Sequence, residues 1–376
     1  MDQTAEKTRL LSLDVFRGMT IAGMILVNNP GTWSAIYSPL KHAEWHGITP
    51  TDYIFPFFLF IVGVAIPLAL GKRIETGTVT RDVYLKILRR SAIIFLLGLF
   101  LAAFPFFDFS NLRIPGVLQR IAVCYLIASI LFLHFDWKKL TVISVVLLLA
   151  YWALMTLIPV PGCEITTIND KACNLAAYFD RLIFTENHIW KQAKVFDPEG
   201  ILSTIPAVVT TISGVLTGIW LKKDTSDYEK CGGLFFFGIV LTAVGWAWNL
   251  FFPFNKSLWT SSYTIYTSGL ALCFLGFCFW LVDIKDYKKW AKPFVIFGVN
   301  ALALFVGSGL MAKTLGLIKI SDTEGKSVSL QSWIFKTFFL SVAEPINASL
   351  MFAICFILFW LFLMWLLYRK RIYIKI

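Results

Sequence analysis

Charge is scarce in this chain. Only 15% of its 376 residues are Asp, Glu, Lys or Arg, against about 25% in an ordinary soluble domain. With 57% hydrophobic residues and a mean hydropathy of +0.71, a soluble fold could not hide that much apolar surface. Histidine is rarer still, at four residues. Neither HExxH nor CxxC occurs, and His42 with His46 supplies too few ligands for a structural zinc site, so no metal is expected. Internal repeats are missing, which argues against a carrier built from two matching halves. No linker of low complexity interrupts the chain, so a single transmembrane domain over 1–376 is expected. Basic and aromatic residues are not interleaved as base stacking would need, and the net charge of +11 is therefore not read as nucleic-acid binding.

What is present is a series of long apolar runs. A helix needs roughly 20 residues to cross about 30 Å of hydrocarbon, and lipid tolerates helices rather than open sheets because every backbone polar group must be satisfied internally. Ten spans are predicted, near 13–28, 51–70, 91–106, 115–133, 140–158, 200–221, 232–252, 258–282, 293–311 and 345–367. The fold class is an all-α polytopic membrane protein. The opening segment is short and of mixed charge with no small-residue cleavage site after the first span, so the first helix is expected to be retained. With the N-terminus inside, inner segments hold 21 Lys and Arg and outer segments 11. That bias puts both termini in the cytoplasm and the loop around His42 outside. Anionic membrane lipid is then the default partner of the basic inner loops.

The longest outer segment, 159–199, is polar and bounded by Pro and Gly, and reads as a cap between the fifth and sixth spans. It contains Cys163 and Cys173, which can close a disulfide in an oxidising compartment; two free thiols are the alternative. A second outer segment, 312–344, has an aromatic stretch from Trp333 to Phe339, read as a short half-buried helix or an interfacial amphipathic one.

Polar chemistry at the mouth of a span marks a site. Asn28 and Asn29 end the first span, and His42, Glu44, Trp45, His46 and Asp52 follow on the same side. Asn255, Lys256 and Trp259 close the outer turn between the seventh and eighth spans, and Asp197 and Glu199 open the sixth. An isolated outer histidine is more often a surface residue, and Asp197 with Glu199 also suits a helix N-terminus, so both readings stand beside a functional one. Asp14 and Arg17, three apart at the inner end of the first span, are read as an ion pair. Arg120 lies inside the fourth span, where a charge marks either a pathway or a paired scaffold.

Six blocks carry a resemblance: Leu13-Asp-Val-Phe-Arg-Gly18, the run His42 to Asp52, Arg113 to Arg120, Pro159 to Cys163, Asp197 to Leu202, and Asn255 to Trp259. In this order they resemble the heparan-alpha-glucosaminide N-acetyltransferase family and its bacterial relatives, and the likeness runs from residue 10 to the C-terminus. The resemblance implies transfer of acetyl from cytoplasmic acetyl-CoA to the amine of a glucosamine unit across the membrane. By the same motifs His42 looks like the catalytic histidine and Asn28 like the asparagine that assists at the reacting carbonyl. A homodimer and a bacterial inner membrane are implied by the resemblance alone. The bacterial branch also brings an alternative, an amino-sugar transporter.

The residues allow this chemistry on their own terms. An amine attacking a thioester needs a base near neutrality, and histidine has the intrinsic range for it. His42 is the expected base, or the carrier of a transient acetyl-imidazole. Asn28 or Asn29 would donate to the oxyanion. Asp52, Asp197 and Glu199 would hold sugar hydroxyls or the ammonium, with Asn255 and Lys256 beside them, and Trp45 or Trp259 would stack on the pyranose. The CoA nucleotide would meet inner cations among Lys72, Arg73, Arg89, Arg90, Lys222 and Lys223, with Arg17 and Arg120 as further candidates.

Overall fold

The computed structural model describes residues 10–321 and 325–374. The helices in chain order are α1 (Leu11–Asn28), α2 (Ile54–Glu75), α3 (Arg81–Ala103), α4 (Val117–His134), α5 (Trp137–Leu157), α6 (Leu175–Phe184), α7 (Ile201–Leu221), α8 (Asp227–Trp248), α9 (Ser261–Phe279), α10 (Lys292–Val299), α11 (Ala301–Leu317), α12 (Leu330–Ile334) and α13 (Pro345–Arg369). Among the described residues, eight helices are long and apolar enough to cross a membrane, and the bent pair α10 and α11 brings the number to nine when counted as one broken span. The remaining expected span, 91–106, is the apolar end of α3, whose first half carries Arg81, Lys86, Arg89 and Arg90.

Polarity is distributed as lipid requires. Leu96, Val142, Phe236 and Leu358 point outward on α3, α5, α8 and α13, while Thr210, Thr211, Ser261, Ser262 and Thr267 are buried inside the bundle. These hydroxyls find partners inside the protein: Thr211 and Thr267 donate to the carbonyls of Ala207 and Tyr263 four residues back, and Ser261 on α9 donates across to the Leu148 carbonyl on α5 at 2.8 Å. In hydrocarbon an unsatisfied hydroxyl is costly, so Ser and Thr face protein rather than lipid.

The chain divides into two compact units. The first comprises residues 43–48 and 55–286, and so holds α2 to α9. There α2 and α7 touch backbone to backbone. A side chain at Gly63 would meet the Thr211 carbonyl, and one at Gly214 or Gly218 would meet the carbonyls of Phe60 or Val64. The Gly214-x3-Gly218 spacing places both on one helix face, the usual means of close approach where lipid gives no hydrophobic drive. Both helices end in cations, and Lys222 Nζ pairs with Glu75 Oε1 at 2.6 Å at that end. Helices α8 and α9 approach as closely through Gly238, Gly245 and Gly269.

The second unit holds residues 11–42, 49–54 and 287–376, with α1 and α10 to α13. Gly18 lies against the Phe294 carbonyl and Gly298 against that of Asp14, so α1 and α10 meet without side chains between them. Arg17 Nη1 donates to Asp14 Oδ1 at 3.1 Å and to the Gly298 carbonyl at 3.4 Å. The run expected as one span at 293–311 is broken: α10 and α11 meet at 82°. Asn300 sits at the break with its amide turned to the C-terminal segment, donating to the Ile372 carbonyl (3.1 Å) and accepting from Ile374 N (2.9 Å). The segment after α11 forms a two-stranded antiparallel hairpin, β1 (Lys319–Ser321) with β2 (Ser327–Ser329), then α12 and a π-turn in which Phe335 is buried.

Candidate active site

The sequence Thr49-Pro50-Thr51-Asp52 contains its own fold. Thr49 has an extended backbone, Pro50 opens a single 3-10 turn, and Asp52 at the third position completes a capping box. Asp52 Oδ2 accepts from Thr49 N at 2.9 Å and lies 3.0 Å from the Thr49 hydroxyl, which also reaches the Lys41 carbonyl at 2.7 Å. The other oxygen, Oδ1, lies 2.6 Å from His42 Nδ1. Asp52 is 1% exposed and His42 is 48% exposed by side chain. A buried carboxylate therefore holds one nitrogen of a histidine that still opens to solvent. Asn28 is exposed at the end of α1, and Asn29 is buried with its amide on the Ile25 carbonyl at 2.9 Å.

His46 differs. Its Nε2 lies 2.9 Å from Asn169 Oδ1 and its Nδ1 lies 3.4 Å from Asn255 Nδ2. With an acceptor at one nitrogen and a donor at the other, a single neutral tautomer is selected. Asn255 is fully buried and also accepts from Leu258 N at 2.8 Å, which shapes the turn after α8. Trp45 is half-buried, with Nε1 on the Ile168 carbonyl at 2.9 Å and its ring edge-on to Phe196. The loop supplying Ile168 and Asn169 is closed by a disulfide between Cys163 and Cys173.

A second polar cluster lies at the start of α7. Arg113 donates Nε to Asp197 Oδ2 (2.8 Å) and Nη2 to Asp197 Oδ1 (2.6 Å) and Glu199 Oε2 (2.5 Å). Burial acts to raise the Glu199 carboxyl, but the Arg113 and Arg120 guanidiniums outweigh it and hold it low, with help from Lys256. Burial likewise opposes the charge on Arg113, and its two carboxylates overcome that and push its pKa up. Asp180 on α6 accepts from Ile201 N (3.0 Å) and Asp197 N (3.1 Å). Burial still pushes it up to about 6. Gly200 has no room for a side chain, which would run into the Asp180 carboxylate. Asp197, Glu199 and Gly200 thus each have a packing or charge partner inside the protein.

Arg120 is buried. Its Nη2 donates to the Gly200 carbonyl at 3.0 Å and to the Ser203 hydroxyl, and its guanidinium lies 5.2 Å from the Trp259 ring centroid. Trp259 has no exposed face; it packs edge-on to Phe55 and Tyr263, and its Nε1 donates to Thr210 Oγ1 at 3.1 Å. The structure therefore gathers Arg113, Arg120, Asp180, Asp197 and Glu199 into one buried framework, and gives Trp259 a place beneath Arg120 rather than an open ring for a sugar. Arg113 and Asp180 carry this framework without having been singled out as site residues; Asp180 lies in a ten-residue amphipathic helix of the cap and gives no signal in sequence. Lys72 is exposed and Arg73 half-buried at the end of α2, with Lys223 at the end of α7 over the Trp220 ring.

These features define a class: a polytopic helical membrane protein with a histidine and a buried carboxylate paired in a loop between spans. The catalytic-region model of heparan-alpha-glucosaminide N-acetyltransferase matches residues 9–221. The chain is 29% identical over 353 residues to the mouse heparan-alpha-glucosaminide N-acetyltransferase, covering 80% of this chain and 53% of that protein. Against the human protein of the same name it is 28% identical over 424 residues, covering 98% of this chain and 60% of that one. This chain belongs to the heparan-alpha-glucosaminide N-acetyltransferase family, and spans little more than half the length of the curated relatives it matches.

Proposed function

We propose that this protein is an acetyltransferase of a bacterial inner membrane that moves acetyl from cytoplasmic acetyl-CoA to the amine of a glucosamine-type sugar on the periplasmic side. The observation that carries the reading is the 2.6 Å pair of His42 Nδ1 with the buried Asp52. A carboxylate accepting from Nδ1 fixes the tautomer whose Nε2 is basic. Nε2 takes a proton from the sugar ammonium. The freed amine attacks the thioester carbonyl, a C–N bond forms, the C–S bond breaks, and the departing thiolate receives the proton from the imidazolium; the second proton, lost from nitrogen as the amide forms, passes to the regenerated imidazole and from there to solvent. Asn28 donates to the oxyanion of the tetrahedral intermediate. Asn29 is set aside because its amide already serves the Ile25 carbonyl.

On the acceptor side, Trp45 and Lys256 make the sugar contacts, and Asp197, Glu199, Asn255 and Trp259 stand behind them as a framework. On the donor side, Lys72, Arg73, Lys222 and Lys223 meet the CoA phosphates, while Arg17 and Arg120 support the helices. The test is CoA release by purified protein in nanodiscs, given acetyl-CoA with and without glucosamine, beside His42→Ala. Glucosamine-dependent release that disappears in a folded His42→Ala variant is expected. Sugar flux across proteoliposomes with no acetyl-CoA consumed would replace the enzyme with a carrier. Release from acetyl-CoA alone, limited to one equivalent, would identify an acetyl-imidazole rather than direct attack.

A further inference from the structure

Residues 45 to 47 lie in sequence between the two members of the His42–Asp52 pair, and each is tied to the outer cap and its neighbouring turn. Trp45 Nε1 donates to the Ile168 carbonyl at 2.9 Å, and the Lys171 ammonium lies 5.8 Å from the centre of its ring. His46 Nε2 donates to Asn169 Oδ1 at 2.9 Å. Gly47, at φ 105°, a conformation that suits glycine, donates its N–H to the Phe254 carbonyl at 2.8 Å. Ile168, Asn169 and Lys171 all belong to the ring of chain closed by Cys163 and Cys173.

That ring contains neither helix nor strand. It is framed by a few bonds of its own: Thr167 N to the Cys173 carbonyl (3.1 Å), and Ala172 N and Cys173 N to Asp170 Oδ1 (2.6 and 2.9 Å). Those two backbone donors hold the Asp170 carboxyl below its ordinary range. From outside, Asn174 Nδ2 donates to the Asp170 carbonyl at 2.8 Å and Arg181 Nη2 to the Ala172 carbonyl at 2.9 Å, and the crosslink adds a covalent limit on how far Ile168 and Asn169 can move from Trp45 and His46. Reacting groups must be held within about 0.5 Å of productive geometry, and a misplacement of about 1 Å can cost on the order of 100-fold in rate.

We propose that the Cys163–Cys173 ring is a positioning element for the reaction, with Asn169 as its working contact: it holds His46 and Trp45 and thereby limits the freedom of the segment that begins at His42 and ends at Asp52. The proposal rests on His42 being the base. Asn169→Ala removes the acceptor for His46 Nε2–H. Asn169→Asp keeps an oxygen there, and a Cys163→Ser/Cys173→Ser variant opens the ring.

The experiment measures kcat, KM for acetyl-CoA, thermal unfolding and amide exchange of residues 43–52 for all four proteins in nanodiscs. For Asn169→Ala, kcat falls about 10- to 100-fold while KM and the unfolding midpoint stay at the wild-type values. Gly47 and Asp52 amides exchange faster in this variant, Asn169→Asp restores both readouts, and the double serine variant reproduces the fall in kcat and the faster exchange, together with a lower unfolding midpoint from the opened crosslink. Wild-type kcat together with wild-type exchange in Asn169→Ala overturns the proposal, as does a loss of activity that follows only the fraction unfolded. If the wild-type protein releases no CoA, the functional reading has failed instead. Amide exchange then still judges the ring: unchanged protection in the variants refutes its hold on the segment.

Discussion

Replacing Asp52 by Asn tests the histidine pair with little change in shape. In the wild-type protein Asp52 Oδ2 accepts from Thr49 N, and Oδ1 accepts from His42 Nδ1. An asparagine has one acceptor oxygen to divide between these two donors. If the oxygen stays with the Thr49 backbone, the amide NH2 faces Nδ1, and His42 must move its proton to Nε2 to accept there. If the oxygen faces His42, the NH2 opposes a backbone N–H and leaves a buried donor unmet, at about 1–3 kcal/mol. Changing the tautomer of a neutral imidazole is the cheaper course, so Asp52→Asn sets Nε2 as a donor and removes the base. General-base catalysis contributes typically about 100- to 10,000-fold, and kcat falls by that factor with KM for acetyl-CoA unchanged. Because the oxygen keeps the capping contact, thermal unfolding in detergent stays close to wild type. Asp52→Ala additionally loses the cap and about 0.5–2 kcal/mol of stability. The assay is chromatographic CoA release at saturating acetyl-CoA. A folded Asp52→Asn enzyme turning over within threefold of wild type would refute the role given to the pair.

Two further outcomes follow from the buried framework at the start of α7. Arg113→Met leaves Asp197 and Glu199 buried without their shared cation and lowers stability by roughly 3 kcal/mol; Arg113→Lys recovers only part of it, because a single ammonium cannot make the two parallel bonds to Asp197, and denaturant titration of the purified protein measures both. Asp180 has a folded pKa of about 6 against 3.8, so the native state binds the extra proton between these values and stability falls as pH rises from about 4 to about 6, by up to roughly 3 kcal/mol; unfolding midpoints across that range show the slope, and Asp180→Asn flattens it.

Legibility in the sequence followed the range of each interaction. Apolar runs are local, so most of the long apolar helices could be read off directly, as could the pairing of Asp14 with Arg17 one helical turn apart; 91–106 was not a separate span but the apolar end of a charged helix. The break at Asn300 could not: it depends on Gly298 meeting α1 and on an amide that reaches Ile372 and Ile374. Asp52 was read as a sugar ligand, although Thr49-x-x-Asp52 is a visible capping signature that would have assigned one of its oxygens. Trp259 was read as a stacking platform because its type and its loop suit one; burial beneath Arg120 is a property of the packed bundle. Arg113 stood inside a quoted motif, yet nothing local indicated that two carboxylates more than eighty residues away converge on it.

By itself the sequence determined that this is a helical protein of the membrane, where its long apolar segments lie, and the kinship of its ordered motifs, since hydropathy and motif order are properties of contiguous residues. Tertiary structure alone decided which histidine is engaged by a buried carboxylate and which by asparagines, and which polar residues form framework rather than surface. The reason is physical: a side chain's tautomer, charge and exposure are set by partners such as Asn169 and Asn255, one 123 and the other 209 residues from His46, and only the fold brings them within hydrogen-bonding distance.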